Sequence, residues 1–400
     1  MLKICVVGPS KYFFSGLSAH TIFLANALSN QAEISVILLR KLLPRFLYPG
    51  KKHLNRSDYL ISLKEGLAAF EGMDWNSPLS WIKSIHFLRH HRPDAIILLQ
   101  WTSAVAHMQL LLVIINRLLI KARLIFEIHE LVDPLEEQLF PIKIYSKLSG
   151  WLLLRSAHAY TVHSDSMRDM ILHKNRFKPE KVYQVPFGLY SDYKLDYDKK
   201  SALKDLGIAE SFVILCFGSI RRYKGVRFLV AAFSTLPVSI GHNSRLIIAG
   251  EDWGDDPEIK PLIEASPYRF KITFNSQFVA DRDIPRYFSA ADVVVLPYLR
   301  SCGSGVIHIA MAYGKPIVTS NIEALRSDLK DYQGAYFSPV GDVLSLRENI
   351  LKIYQSCQQN KNLLYPIPEN DWDKIVKGYV TLIDELKKRR IPRTPAGMGD

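Results

Sequence analysis

At 400 residues the chain exceeds one ordinary core of about 100–200 residues, so two domains are expected. Apolar residues make up 48% and charged ones 22%, a balance that excludes extended disorder short of the C-terminal tail. The net charge of +12 is concentrated in residues 1–190, which hold 23 Lys+Arg against 14 Asp+Glu, with 28 against 25 in the remainder. No helix-turn-helix, zinc-knuckle or RNA-recognition signature accompanies that charge. Nucleic acid is therefore excluded as the expected partner, leaving anionic lipid, a phosphorylated substrate or solubility alone.

The opening MLKICVVGPS reads as a strand, because Gly8 and Pro9 break the apolar run too early for a signal peptide. The pattern continues as a helix over Ala19–Ser29, ISVILL, DAIILLQ, a helix near 104–120, RLIFEIH, a helix near 143–154 and AYTVHS. Strands alternating with helices imply right-handed crossovers and a parallel sheet covered on both faces. Leu110–Leu119 is too short to span a bilayer and is closed off by Arg117, Lys121 and Arg123. After KVYQVPFG, the polar stretch Ser191–Lys204 reads as a linker and hinge.

The alternation then restarts with SFVILCFGS, a helix from Val226, RLIIAG, KITFN, a helix near 283–291, DVVVLPY, a helix near 304–313 and KPIVTS. Trp372–Lys388 has the spacing of a final amphipathic helix. The expected organisation is a first Rossmann-like unit over 1–195, to which a helix at about 372–389 returns, and a second over 205–371. Two doubly wound sheets place a ligand crevice between their carboxyl ends. Cys5, Cys216, Cys302 and Cys357 show no CxxC spacing, so reduced thiols and a cytoplasmic protein are expected.

Three segments carry chemistry. In VVGPSKYFFSGLSAH a single Gly16 precedes a helix; it is either an ordinary turn or a site where backbone N–H groups meet an anion. In FGSIRRYKGVRFLVAAF a strand ends at Gly218 and leads through Ser219 to Arg221, Arg222 and Lys224. The three cations suit a diphosphate: Arg offers bidentate hydrogen bonds and Lys a mobile point charge. In DVVVLPYLRSCGSGVIHIAMAYGKPIVTS, the turn Cys302–Gly305 aims N–H groups of a helix start at phosphate or sugar hydroxyls.

These segments, in this order, resemble glycosyltransferase family 4 of the GT-B fold. The matching positions are Gly16 and His20 in the first loop, His129 after RLIFEI, Ser164 in TVHSDSMRDMI, and Gly188 in VPFG. They continue through Gly218 to Gly225, Ala249–Gly250, Asp292–Tyr298 and Ala310 to Val318. The resemblance implies an α/β fold of two Rossmann-like domains facing each other across a cleft. It also implies a retaining transfer of a sugar from a nucleotide diphosphate to a saccharide or lipid-linked acceptor, with no metal and no cofactor beyond the nucleotide sugar. By residue, it implies catalytic roles for His129, Lys224, Arg221 and Arg222. Donor contacts fall on Gly16, Gly218, Ser219, Ser304, Gly305, Val306 and His308, and the acceptor or sugar side on His20, Glu130 and Ser164.

Two departures stand out. The family's pair of glutamates, seven residues apart, is replaced here by Ser301 and Ile309, which puts ribose recognition in doubt and leaves His308 or backbone groups as substitutes. The arginine that usually follows the glycine is Ser219. The missing carboxylates motivate a rival reading, a non-catalytic nucleotide-sugar-binding or scaffolding member. An epimerase would need carboxylates near the cations, for which only Glu251 and Asp252 are at hand. A metal at His129, Glu130 and Asp133 lacks convincing spacing. The basic, aromatic-laced segment Arg40–Lys52 is either a solvated loop or a peripheral contact with anionic membrane.

Overall fold

The computed structural model describes residues 1–11, 16–42, 60–101, 106–129, 140–175, 177–360, 363–369 and 372–389. The first seven strands are β1 (Lys3–Pro9), β2 (Glu33–Lys41), β3 (Ala68–Asp74), β4 (Ala95–Gln100), β5 (Arg123–Ile128), β6 (Ala159–Val162) and β7 (Val182–Gln184). They form one sheet of order β3-β2-β1-β4-β5-β6-β7, and every pairing in it is parallel. Helices α1 (Gly16–Leu28), α2 (Pro78–His91), α3 (Ala106–Ile115), α4 (Phe140–Arg155) and α5 (Asp165–Asn175) are the crossovers. Burial in β1 runs unbroken from Ile4 to Pro9, as expected for a strand covered on both faces.

The second unit repeats the plan. Its helices are α6 (Lys199–Asp205), α7 (Val226–Ser234), α8 (Val238–Asn243), α9 (Ile259–Ala265), α10 (Ile284–Ala290), α11 (Gly305–Ala312), α12 (Glu323–Asp328) and α13 (Val343–Gln359). Strands β8 (Phe212–Phe217), β9 (Ser244–Ala249), β10 (Ile272–Asn275), β11 (Val293–Leu296), β12 (Ile317–Ser320) and β13 (Ala335–Ser338) form a parallel sheet of order β10-β9-β8-β11-β12-β13. Strand order reverses at β1/β4 in one sheet and β8/β11 in the other, so each sheet has a switch point where ligands bind.

The expected linker Ser191–Lys204 is only partly one. Tyr193 is buried, and α6 packs on α10 while Lys199 pairs with Asp292. Asp198 starts α6 by accepting hydrogen bonds from the N–H groups of Lys200 and Ser201. Its lysines and aspartates give the stretch a solvated look, but the buried Tyr193, whose hydroxyl donates to Asp281, and the Lys199–Asp292 pair fasten it to the second unit. The expected helix near 104–120 is α3 followed by a π-turn over Asn116–Ile120, which ends at Lys121 in the left-handed region.

Helix α14 (Trp372–Lys388) crosses back onto the first unit and buries Trp372, Ile375, Val376, Tyr379, Leu382, Ile383 and Leu386, one stripe at helical spacing. The Trp372 indole N–H donates to the Leu189 carbonyl at 2.8 Å. A Cβ on Gly188 would overlap the Trp372 ring, so glycine is required there for the helix to seat. No helix among the described residues is long and apolar enough to cross a membrane.

Candidate active site

On the second unit, the end of β8 and the start of α11 come together: a Cβ on Gly218 would lie 3.4 Å from Val306. Gly225 turns the chain from the 222–224 segment into α7 with φ +66°, and a Cβ there would collide with the Pro297 carbonyl oxygen. The Leu299 N–H donates to Tyr223 O at 2.7 Å, locking the cationic turn against the loop that follows β11. Lys224 Nζ lies 3.8 Å from the Tyr298 ring centre, and the Tyr298 and Ser304 hydroxyls are 3.2 Å apart at the cap of α11. Ile307 N–H already donates to Ser304 O, so the amides of Gly305 and Val306 precede the helix's own ladder, at its positive end.

Not all three cations face this point. Arg221 Nε donates to Asp255 Oδ2 at 2.7 Å and its guanidinium stacks 3.9 Å over Trp253, while the Arg222 amide donates to the same carboxylate. Lys224 makes no ion pair among the described residues, and Arg222 is exposed. The sequence put a diphosphate contact on each; in this conformation Arg221 is turned to Asp255, because that carboxylate and the indole face offer it a partner and a stacking surface. Ser219 sits half-buried between Gly218 and Arg221.

His308 is buried, with its ring stacked on Phe187 of the first unit at 4.7 Å and its Nε2 3.9 Å from Asp328 Oδ2. Burial pushes His308 down to about 3, with His163 and His20 adding to the effect, and pushes the Asp328 carboxyl up to about 7. The Ser304 N–H also donates to Asp328. A carboxyl group from α12 therefore stands at the start of α11, although neither family glutamate is present. Ser301 is engaged in its own turn with Gly303, and Ile309 is 6% exposed within the core.

On the first unit, α1 and the carboxyl ends of β5 and β6 converge on Glu127, which is 1% exposed. Glu127 Oε1 accepts from His20 Nε2 at 2.5 Å and lies 3.2 Å from both His129 Nε2 and His163 Nε2; Oε2 accepts from the Tyr379 hydroxyl of α14 at 2.7 Å. Burial alone would raise Glu127, but the His20 charge and the imidazoles turned toward it hold it well below the usual carboxylate range. Burial also pushes His129 down to about 3. The potential ligand atoms of His20, Glu127, His129 and His163 all lie within 4.8 Å of one another, close enough to share one metal ion.

The resemblance sets His129 toward the donor sugar. Its side chain is 10% exposed and its Nε2 is turned inward, because the buried carboxylate of Glu127 draws the imidazole to itself. Ser164, expected on the acceptor side, caps α5 by accepting from the Met167 N–H at 3.2 Å and is 1% exposed. Gly16 opens α1 with nothing within 4 Å of its missing Cβ, and its carbonyl accepts from Tyr190 OH. Glu130, Asp133 and residues 43–52 of the basic segment lie outside the described residues. Of that segment's described part, Arg40 forms a fork with Asp74 at 2.9 and 2.5 Å.

Sequence reading missed Glu127, His163, Tyr379, Phe187 and Asp328. Glu127 is hidden in the apolar strand RLIFEI, where its only signal is that a lone carboxylate in a buried strand needs partners. His129 follows it by two residues, but the other partners are up to 252 residues away, and only the sheet, α1 and α14 bring them together.

Residues 211–356 match the family described as glycosyl transferases group 1. The capsular polysaccharide biosynthesis glycosyltransferase CapM of Staphylococcus aureus is 25% identical over 198 residues, 48% of this chain and 50% of the relative. The lipopolysaccharide glucosyltransferase WaaG of Escherichia coli is 27% identical over 156 residues, 36% and 39% of the two chains. The aligned part of the chain thus spans about half or less of these relatives' length. Over the whole chain the fold is that of a sucrose-phosphate synthase from Thermosynechococcus elongatus (TM-score 0.68, 17% identity, 97% and 99% of the chains covered). It is likewise that of Anabaena HepE in complex with UDP-glucose (TM-score 0.64, 16% identity, 97% and 98% covered). Residues 211–356 are thus similar to glycosyl transferases group 1, within a two-domain fold of the GT-B type.

Proposed function

We propose that the protein is a retaining glycosyltransferase that moves a sugar from a nucleotide diphosphate to a saccharide or lipid-linked acceptor in glycan biosynthesis. The observation that carries this reading is the meeting of Lys224 with the start of α11 at the carboxyl end of β8. A cation and helix amides beside a switch point suit a diphosphate, whose leaving charge they stabilise without a metal at the phosphates. Arg222 joins them from its exposed turn, and Arg221 when it leaves Asp255. The nucleotide lies on the second unit, and the sugar extends over the floor formed by His129, His20 and Phe187.

Retention needs no enzymatic nucleophile if the acceptor hydroxyl attacks from the face the diphosphate leaves. The acceptor's proton then passes to the departing phosphate, and no organic cofactor takes part. The protein supplies positioning and electrostatic stabilisation, and approach of the two units limits hydrolysis.

The test is a screen of UDP-, GDP- and ADP-sugars by thermal stabilisation, followed by NMR of the anomeric proton of the product. A donor at one hundred times its Kd adds about 2.7 kcal/mol to stability. Inverted product, or no stabilisation by any donor, overturns the reading. The lack of carboxylates at Ser301 and Ile309 favours a second reading, a non-catalytic nucleotide-sugar-binding protein. Stabilisation by a donor without either hydrolysis or transfer selects it.

A lipid-linked acceptor would be met at a membrane surface. The described face suited to it is that of α3, its π-turn and α4, where Ile114, Leu118, Leu119, Leu148 and Trp151 are exposed. Arg155 lies 4.2 Å over Trp151, and Arg117 and Lys121 flank the row. Co-sedimentation with anionic but not neutral vesicles, reduced by Trp151→Ala with Leu148→Ala, tests it.

A further inference from the structure

We propose that His20, His129, His163 and Glu127 bind one divalent transition-metal ion of the zinc class. Three ring nitrogens converge on a single carboxylate oxygen, Glu127 Oε1, at 2.5, 3.2 and 3.2 Å. One oxygen has too few lone pairs to serve three donors in good geometry, and the Nε2 atoms of His129 and His163 are buried without a hydrogen-bond partner. His163 gives the sharper argument. Its Nδ1 lies 3.0 Å from the Val185 carbonyl, which can only accept, so the ring proton sits on Nδ1. In the neutral ring, Nε2 is then a bare lone pair aimed at a carboxylate oxygen. Two acceptors facing each other in a buried site repel, and a cation between them removes the repulsion.

The geometry suits a small tetrahedral ion. Zinc bonds of about 2.0–2.1 Å place neighbouring ligand atoms about 3.3 Å apart, close to the two separations of 3.2 Å. The His20 contact has to lengthen by somewhat under about 1 Å, and the ligand atoms that stand up to 4.8 Å apart have to draw together, as the proton His20 shares with Glu127 leaves for solvent and the ion takes its place. Three imidazoles and one carboxylate favour zinc over magnesium or calcium, which take mostly oxygen ligands. An outer shell is present as well. The Tyr379 hydroxyl donates to Glu127 Oε2, leaving Oε1 for the ion, and itself lies 3.0 Å from Thr161 Oγ1, while the Val185 carbonyl orients His163. The ion would join α1, β5, β6 and α14 at the floor of the cleft. It is separate from the diphosphate contacts on the second unit and acts as a clamp.

The test uses the full chain, purified without a histidine tag. Elemental analysis after dialysis is expected to find about one zinc per chain. Cobalt(II) is expected to give the intense visible bands of a tetrahedral site, and zinc but not magnesium should raise Tm. His163→Gln and Glu127→Gln should abolish stoichiometric binding. Tyr379→Phe, which keeps all four ligands, should weaken it about 10- to 100-fold. His86 and His90, one turn apart on α2, could bind metal adventitiously, and His86→Ala with His90→Ala should leave binding unchanged. Wild-type protein that binds no zinc or cobalt at this stoichiometry overturns the proposal, even if the ligand variants fail to fold. So does metal that is lost with His86 and His90, or affinity unmoved by Tyr379→Phe.

Discussion

The Lys224 ammonium lies 3.8 Å from the centre of the Tyr298 ring, whose hydroxyl reaches the Ser304 cap of α11. The ring face holds the cation beside the helix start without neutralising it, leaving its charge for an anionic ligand. Lys224→Ala should therefore lower kcat/KM by roughly 30- to 1000-fold, equivalent to about 2–4 kcal/mol of lost transition-state stabilisation. Because Lys224 makes no ion pair among the described residues, Tm should change little. A kcat/KM within threefold of wild type in donor kinetics would remove Lys224 from the site.

Gly225 and Gly207 share a left-handed backbone, φ +66° and +65°, but only at Gly225 would a Cβ meet the Pro297 carbonyl; nothing lies within 4 Å at Gly207. Alanine at Gly207 should cost about 1 kcal/mol, the conformational penalty alone. Alanine at Gly225 should cost at least about 2 kcal/mol and also weaken donor binding, since it separates the 222–224 turn from the loop after β11. Urea unfolding of both variants with one calorimetric titration each decides it. Equal losses of stability, or full donor affinity in Gly225→Ala, would show that the close approach is unimportant.

Much of the fold was legible because both sheets are built from short β-branched strands between amphipathic helices, and the runs around Cys5 and Cys216 announce themselves as buried strands. Strand β3, AAFEGMD, lacks that signature because its first half alternates partly exposed residues, and α2 carries a basic surface. The two turns proposed to meet the donor could be picked out for the same local reason, since Gly218, Lys224 and Gly225 lie in one short segment and Ser304 in another. The histidine cluster could not. His129 stood out only through the resemblance: Glu127, two residues before it, is hidden in an apolar strand, and His20, His163 and Tyr379 are distant in sequence and brought close only by parallel pairing, α1 and α14. The pairing of Arg221 with Asp255 was not legible because Asp255 lies on the loop after β9, which local reading does not connect to β8.

Glu210 offers a pH test away from the cleft. Burial would raise its carboxyl, but hydrogen bonds from Arg245 at 2.8 and 3.1 Å and from Lys271 at 2.8 Å hold it at about 2, against an ordinary 4.5. A folded-state value below the unfolded one gives stability that is present above about pH 4.5 and lost as pH falls toward 2. The gap corresponds to about 3 kcal/mol, or about 2 kcal/mol allowing for screening of the partly exposed Arg245 and Lys271. Glu210→Gln should lose that amount in urea unfolding at pH 6, and its deficit against wild type should shrink by more than half at pH 3. A deficit independent of pH would mean that shape, not charge, matters at this position.

The position of the family's second glutamate gives the last prediction. Ile309 is 6% exposed and belongs to the apolar cluster that also holds Ile307, Ala310 and Tyr313. A carboxylate placed there has to be buried among carbon atoms or to push α11 outward, and α11 carries the amides assigned to the diphosphate. An unpaired buried charge costs several kcal/mol, so Ile309→Glu should destabilise the protein by roughly 3 kcal/mol. Donor affinity should not rise; a fall of about tenfold is expected, a loss on the order of 1–2 kcal/mol for a poorly satisfied polar group beside an anion. Ile309→Met, which keeps volume and apolarity, should leave both quantities nearly unchanged. Calorimetric titration with the best nucleotide from the donor screen, run beside urea unfolding, measures them together. If Ile309→Glu instead binds donor far more tightly, the ribose geometry of the relatives is intact here and only its carboxylate is gone. Asp328, at the start of α11, would then not replace it, and the non-catalytic reading would displace the enzymatic one.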